Sequence, residues 1–227
     1  IEEPGFYQPY ENTIQGNYIG TDVTGMLTLG NTESGVFIAD SINNLVGGDA
    51  MGARNVISGN DGSGVVILGS GATGNIVQGN FIGTDTTGMS GLANATAGVI
   101  VYEASDNTIG GFAASSGNVI SGNAYGVAIV ASTQVEVIDN LIGFLADGTD
   151  VLPNIETDMF VDTSTAIRVQ ADVPIEEAPL IIDACGAGVI HLDDDESVLI
   201  DCGSISVNVI LGPVEIIFHS SEWVTAI

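Results

Sequence analysis

Lysine is missing from these 227 residues, and only two arginines, Arg54 and Arg168, stand against 29 acids. The net charge of −27 repels phosphate backbones and anionic lipid alike, which argues against nucleic acid and an acidic membrane surface as partners. Charged residues of every kind make up only 14%, so the bias comes from deleting cations rather than from piling up acid. Calcium, high salt or low pH would each relieve the repulsion, and all three point to an extracellular or cell-surface setting. Cysteine is nearly absent too. Cys185 and Cys202 lie 17 residues apart and read as one disulfide, worth roughly 3 kcal/mol in a chain-entropy picture, or as two buried thiols. No apolar run approaches the ~18 residues of a membrane span, so no membrane insertion is expected. No leader precedes Ile1, and the chain reads as a processed form or a fragment. Nowhere do apolar residues recur at helical spacing.

What is abundant is glycine, 31 residues, within a chain that is 45% apolar. The glycines sit in a repeat. "NYIGTDVTG" at Asn17 returns as "NFIGTDTTG" at Asn80, a shift of 63 residues. At the same shift Asn12 falls on Asn75, Gly35 on Gly98, Asn44 on Asn107, Asn55 on Asn118, and Gly59-Asn60 on Gly122-Asn123. Each 63-residue unit divides into two coils of three short β-rich segments. One segment type opens on Gly35, Gly64, Gly98 and Gly126. A second opens on Asn12, Asn44, Asn75 and Asn107, with a weaker copy at Glu136. The third opens on Asn17, Asn55, Asn80, Asn118 and Asn140. Short β-rich segments bounded by Asn and Gly are strands and turns. A fixed three-beat cycle predicts a chain that winds into stacked coils, with equivalent strands paired in parallel and asparagines stacked at equivalent corners.

The phrases "NxIGTDxTG", "NTIGG" and "RNVISGN" resemble those of right-handed parallel β-helices of the pectin-lyase-like class, as found in large surface proteins of bacteria and archaea. The resemblance covers roughly residues 11–152 and implies an all-β solenoid of four to five coils. Residues 1–10 read as an N-terminal extension, 153–178 as a connecting segment and 179–227 as a small β-rich C-terminal domain or cap. In that last part "VIHL" and "SVLI" flank the acidic run "DDDES".

Chemistry has few places to sit. Asp22 and Asp85, in the repeated phrase, read as turn residues whose side chains bond nearby backbone, or as calcium contacts. Asp193, Asp194, Asp195 and Glu196 read as a solvated hairpin loop or a surface calcium contact. Relatives of this class that cleave polyuronates use a strong base such as arginine; Arg54 reads as a corner residue and Arg168 as a paired charge. No paired carboxylates mark a coil face as glycosidases require, and His191 and His219 read as strand residues. "NAT" at Asn94 is a glycosylation sequon. The expectation is therefore a non-enzymatic extracellular structural protein that assembles with copies of itself. A glycan-binding adhesin module and a polysaccharide lyase or hydrolase are the alternatives. Calcium is the one cofactor entertained.

Overall fold

In the computed structural model residues 10–162, 164, 167–171, 180–183, 189–192, 198–201, 206–209 and 216–218 are described, and all of their regular structure is β. The chain winds through five complete turns of three strands. They are β1 (Thr13–Ile14), β2 (Tyr18–Ile19) and β3 (Val36–Ala39); β4 (Leu45–Gly47), β5 (Val56–Ile57) and β6 (Val65–Leu68); β7 (Ile76–Gln78), β8 (Phe81–Ile82) and β9 (Ala97–Tyr102); β10 (Thr108–Gly110), β11 (Val119–Ile120) and β12 (Tyr125–Val130); and β13 (Glu136–Ile138), β14 (Leu141–Ile142) and β15 (Thr157–Asp162). Every third strand pairs in parallel with its equivalent in the next turn, which makes three sheets wrapped around one core. The protein is a parallel β-solenoid.

Period-2 alternation within such short strands puts one residue in and the next out. Ile14, Val46, Val77, Ile109 and Val137 form one inward column; Ile19, Ile57, Ile82, Ile120 and Ile142 form the second. The longer third-sheet strands add Ile38, Ile67, Val101, Ile129 and Val161. From the second turn onward the first-sheet column is almost completely buried, as is the second-sheet column up to Ile120. Each fully buried Val or Ile contributes about 1.5–3 kcal/mol, and the stacked Val and Ile side chains belong to one continuous core cluster.

Beyond the fifth turn come β16 (Arg168–Ala171), β17 (Leu180–Asp183), β18 (Val189–Leu192), β19 (Val198–Asp201), β20 (Ser206–Val209) and β21 (Ile216–Phe218). β16 and β20 extend the first sheet in parallel, and β17 and β21 extend the third. Among the described residues the second sheet ends at β14. β18 and β19 form an antiparallel hairpin at the far edge of the first sheet. "VIHL" and "SVLI" are thus hairpin arms. The strands at 206–209 and 216–218 do not pair with each other but join different sheets of the solenoid.

Candidate functional site

Three asparagine columns run along the corners. In the first, Asn12 donates from Nδ2 to Oδ1 of Asn44, Asn44 to Asn75, and Asn75 to Asn107, at 2.8, 2.8 and 3.0 Å. In the second, Asn17, Asn55, Asn80, Asn118 and Asn140 are linked in the same way. Each Oδ1 also accepts the backbone N–H of the preceding member, as between Asn44 and Asn75 at 2.9 Å. Nδ2 groups reach inward carbonyls as well; Asn80 donates to Val46 O at 2.9 Å. A buried corner otherwise strands backbone polar groups, at ~1–3 kcal/mol apiece. One amide side chain meets several of them.

The third column, Asn31, Asn60, Asn94, Asn123 and Asn154, runs before the third-sheet strands. The 63-residue shift that pairs Asn60 with Asn123 also pairs Asn31 with Asn94, although their phrases, "GNTES" and "LANAT", look dissimilar; only Asn154, in "LPNIE", falls off the shift. Asn94 is fully buried within this column and donates to Asn123 Oδ1 and Ile57 O. The sequon "NAT" therefore presents no acceptor amide to a glycosyl donor in the folded protein.

The column ends on an acid. Asp158 Oδ1 accepts Asn154 N at 3.2 Å and Nδ2 at 2.7 Å. In strand register Asp158 follows Gly35, Gly64, Gly98 and Gly126. At those glycines a Cβ would press on the next turn's asparagine: Asn60, Asn94, Asn123 and Asn154 respectively. The fifth copy instead carries a side chain that occupies the seat itself. Burial pushes the Asp158 carboxyl above its ordinary pKa, against the lowering effect of the Asn154 hydrogen bonds.

The repeated nine-residue phrase resolves into separate duties. Asn17 and Asn80 are column members, and Ile19 and Ile82 point to the core. Gly20 and Gly83 take positive φ (84° and 89°) beside Asn60 and Asn123, where a Cβ would collide with the amides. Asp22 Oδ1 accepts the N–H groups of Met26 and Leu27, both at 3.2 Å, and the Thr24 hydroxyl at 2.8 Å. Asp85 does the same with Met89 N and with the N–H and hydroxyl of Thr87. The Thr24 hydroxyl, followed by the Leu27 and Met26 amides, holds the Asp22 carboxyl below its usual range although burial opposes it. Gly25 and Gly88 close the loop against the rings of Tyr18 and Phe81. Both aspartates thus cap their own loops. A third loop, 144–152, uses Asp147 in that role, accepting from Thr149 and Asp150 N at 2.9 Å each.

These loops are antiparallel hairpins, bridged at Thr21–Thr28, Thr84–Gly91 and Phe144–Val151. They stack directly although a turn intervenes: Thr86 N donates to Gly25 O at 2.9 Å and Ala146 N to Gly88 O at 3.0 Å. The resulting rib covers the outward residues of the second sheet, where Val56, Phe81 and Val119 form a satellite core with Leu141 and Ala146.

The two cations are spent locally. Arg54 lies over the Phe81 ring, 4.0 Å from its centre, and its Nε donates to Gly79 O at 3.2 Å; partial burial lowers its pKa. Arg168 Nη1 is 3.1 Å from Glu136 Oε1 and its guanidinium is 5.4 Å from the centre of the Phe112 ring. Arg168 and Glu136 line an open trough of ≈ 380 Å³ on the first sheet with Asp106, Thr108 and Gln134. His191 lies on β18 with Leu199 as its register partner. Cys185, Cys202, His219 and the Asp193–Glu196 run lie outside the described residues. Among the described residues no group of three or more His, Cys, Asp or Glu is placed to hold a metal ion. No helix among them is long and apolar enough to cross a membrane.

Comparison with protein-family models, with curated proteins and with solved structures finds no match to this chain. Functional inference therefore rests on the residues themselves.

Proposed function

We propose that this protein is a non-enzymatic, extracellular structural or surface protein that associates with copies of itself through the ends of the solenoid and its terminal strands. Its repeat phrases resemble those of pectin-lyase-like solenoids in bacterial and archaeal surface proteins. The supporting observation is where the apolar surface lies. Of fifteen exposed large apolar side chains among the described residues, eight fall within residues 10–42: Tyr10, Tyr18, Val23, Met26, Leu27, Leu29, Phe37 and Ile42. That is the first turn and the corner after it, whose strands β1, β2 and β3 are edge strands of their sheets among the described residues. Open edges with apolar flanks are templates for pairing unless they are blocked. The chain carries no lysine to block them.

Charge sets the conditions. A protein at −27 repels its copies, so calcium, high salt or acid should promote association. Sedimentation velocity tests this. Species heavier than the 23.1 kDa chain should grow in when calcium or salt is added and disperse on chelation or dilution. A single 23.1 kDa boundary in every condition would remove the proposal.

A further inference from the structure

The first turn is built like an interior turn, yet its outer face is exposed. Tyr18 is 46% exposed, whereas its equivalent two turns on, Phe81, is 5%. Leu29 is 72% exposed, while the corresponding Leu152 of the third loop packs on Gly91 and Gly122 of the turns before it. Asn12, Asn17 and Asn31 are exposed, whereas the next members of their columns are buried.

We propose that this face is a docking surface for a further β-solenoid rung, and that the rung carries asparagine at all three corners. The columns specify that chemistry. Along the first column Asn12, Asn44 and Asn75 each give three bonds to the next turn. Its N and Nδ2 donate to the next Oδ1, and its carbonyl accepts the amide one residue beyond, as Asn12 O accepts Leu45 N at 2.8 Å and Asn44 O accepts Ile76 N at 2.9 Å. The second column repeats the pattern, with Asn17 O accepting Val56 N at 2.9 Å. In the third, Asn31 O accepts Asp61 N at 2.9 Å. Carried back to the first turn, the pattern leaves, among the described residues, an Oδ1 acceptor and an N–H donor side by side at each corner: Asn12 with Thr13, Asn17 with Tyr18, and Asn31 with Thr32. An asparagine matches such a seat with its N–H, Nδ2 and carbonyl. An aspartate would set carboxylate oxygen against Oδ1. The stack is also one-way, since Asp158 closes the third column at the far side.

This inference does not rest on self-association: it assigns the same face to an asparagine rung instead of a second copy, and its test is made on monomers so that the two occupants are told apart. A second copy of residues 12–74 is fused directly before Asn12 of the full chain. The junction from residue 74 to Asn12 then repeats the natural step from Gly74 to Asn75. Amide exchange is followed by NMR at a dilution where sedimentation shows only monomer. The added unit is expected to fold as two further turns and to slow exchange at Thr13 and Tyr18 by at least a hundredfold. Changing Asn44, Asn55 and Asn60 of the added unit alone to Asp should abolish most of that protection. Unchanged exchange at Thr13 and Tyr18 would overturn the docking surface. Equal protection by the Asp-bearing unit would overturn the requirement for asparagine. Concentration-dependent protection in the unfused chain would assign the face to a second copy and overturn the asparagine-rung assignment.

Discussion

At the scale of single residues, side-chain amides do the work that hydrogen-bonded turns do elsewhere. Asn80 is fully buried and bonded to Asn55, Asn118, Val46 and Gln78. Its replacement, Asn80→Ala, orphans at least one donor and one acceptor and should cost on the order of 2–4 kcal/mol. Thermal unfolding should show that loss, whereas Asn12→Ala, at the exposed end of its column, should cost under about 1 kcal/mol. Ala131 holds a left-handed backbone, φ 50°, at the corner equivalent to Gly69. Such a conformation is strained for any side chain. Ala131→Gly should therefore stabilise by about 1 kcal/mol, or roughly 2–4 °C in Tm. Asp158 makes the third case. Its folded pKa is raised, so the native state holds this proton more tightly than the unfolded chain, whose value lies near 3.8. The stability this gives is complete below that value and is lost as pH rises through the folded pKa. Asp158→Asn should be more stable than the parent at neutral pH, with the difference closing in acid; a pH-independent difference would mean that the carboxyl does not titrate in this range.

At the scale of elements, the 63-residue repeat follows from the thickness of a loop. Steps along the second asparagine column alternate 38, 25, 38 and 22 residues, while those along the first stay at 31 or 32. Each 38-residue step takes in a hairpin loop and also the longer corner that leads to the next second-column asparagine, 11 residues from Asn44 to Asn55 against five from Asn12 to Asn17, whereas each first-column step holds only one of the two. A hairpin has two arms, and two strand spacings of about 4.8 Å span two turns. One loop therefore fills the height of two turns, and alternate turns must use a tight "ISGN" corner. Grafting residues 21–29 onto the corner at Ser58–Asn60 should clash with both neighbouring loops and lower Tm by well over 5 °C; an unchanged Tm would refute the thickness argument. This level was only partly legible in the sequence. Strand positions and two asparagine columns showed as fixed offsets, because in-register stacking forces the same residue onto the same corner. The third column showed only in part: Asn31 with Asn94 and Asn60 with Asn123 recur at the 63-residue shift, but they sit in loops whose other residues vary, and Asn154 breaks the shift. Asp158 did not show: "DMFV" looks like the end of the repeat, and only the register reveals it as a fifth "GVAI" whose glycine has become the acceptor.

At the scale of the whole molecule, the core is continuous but the two ends differ. The first turn exposes apolar side chains and asparagine seats that no described residue fills. On the far side, among the described residues, the second sheet stops at β14, Asp158 closes one column, and the first and third sheets run on through β20 and β21. The C-terminal strands at 180–183, 206–209 and 216–218 were legible as strands but not as further members of the same sheets, because they carry none of the Asn-Gly punctuation. With −27 charges on the chain, such ends can meet only where the charge is screened, bridged or neutralised. Electron microscopy of the protein with and without calcium tests this most directly. A structural subunit should give filaments, tubes or sheets with a regular repeat in calcium, dispersing in chelator. Compact single particles in calcium, in high salt and in acid alike would contradict it.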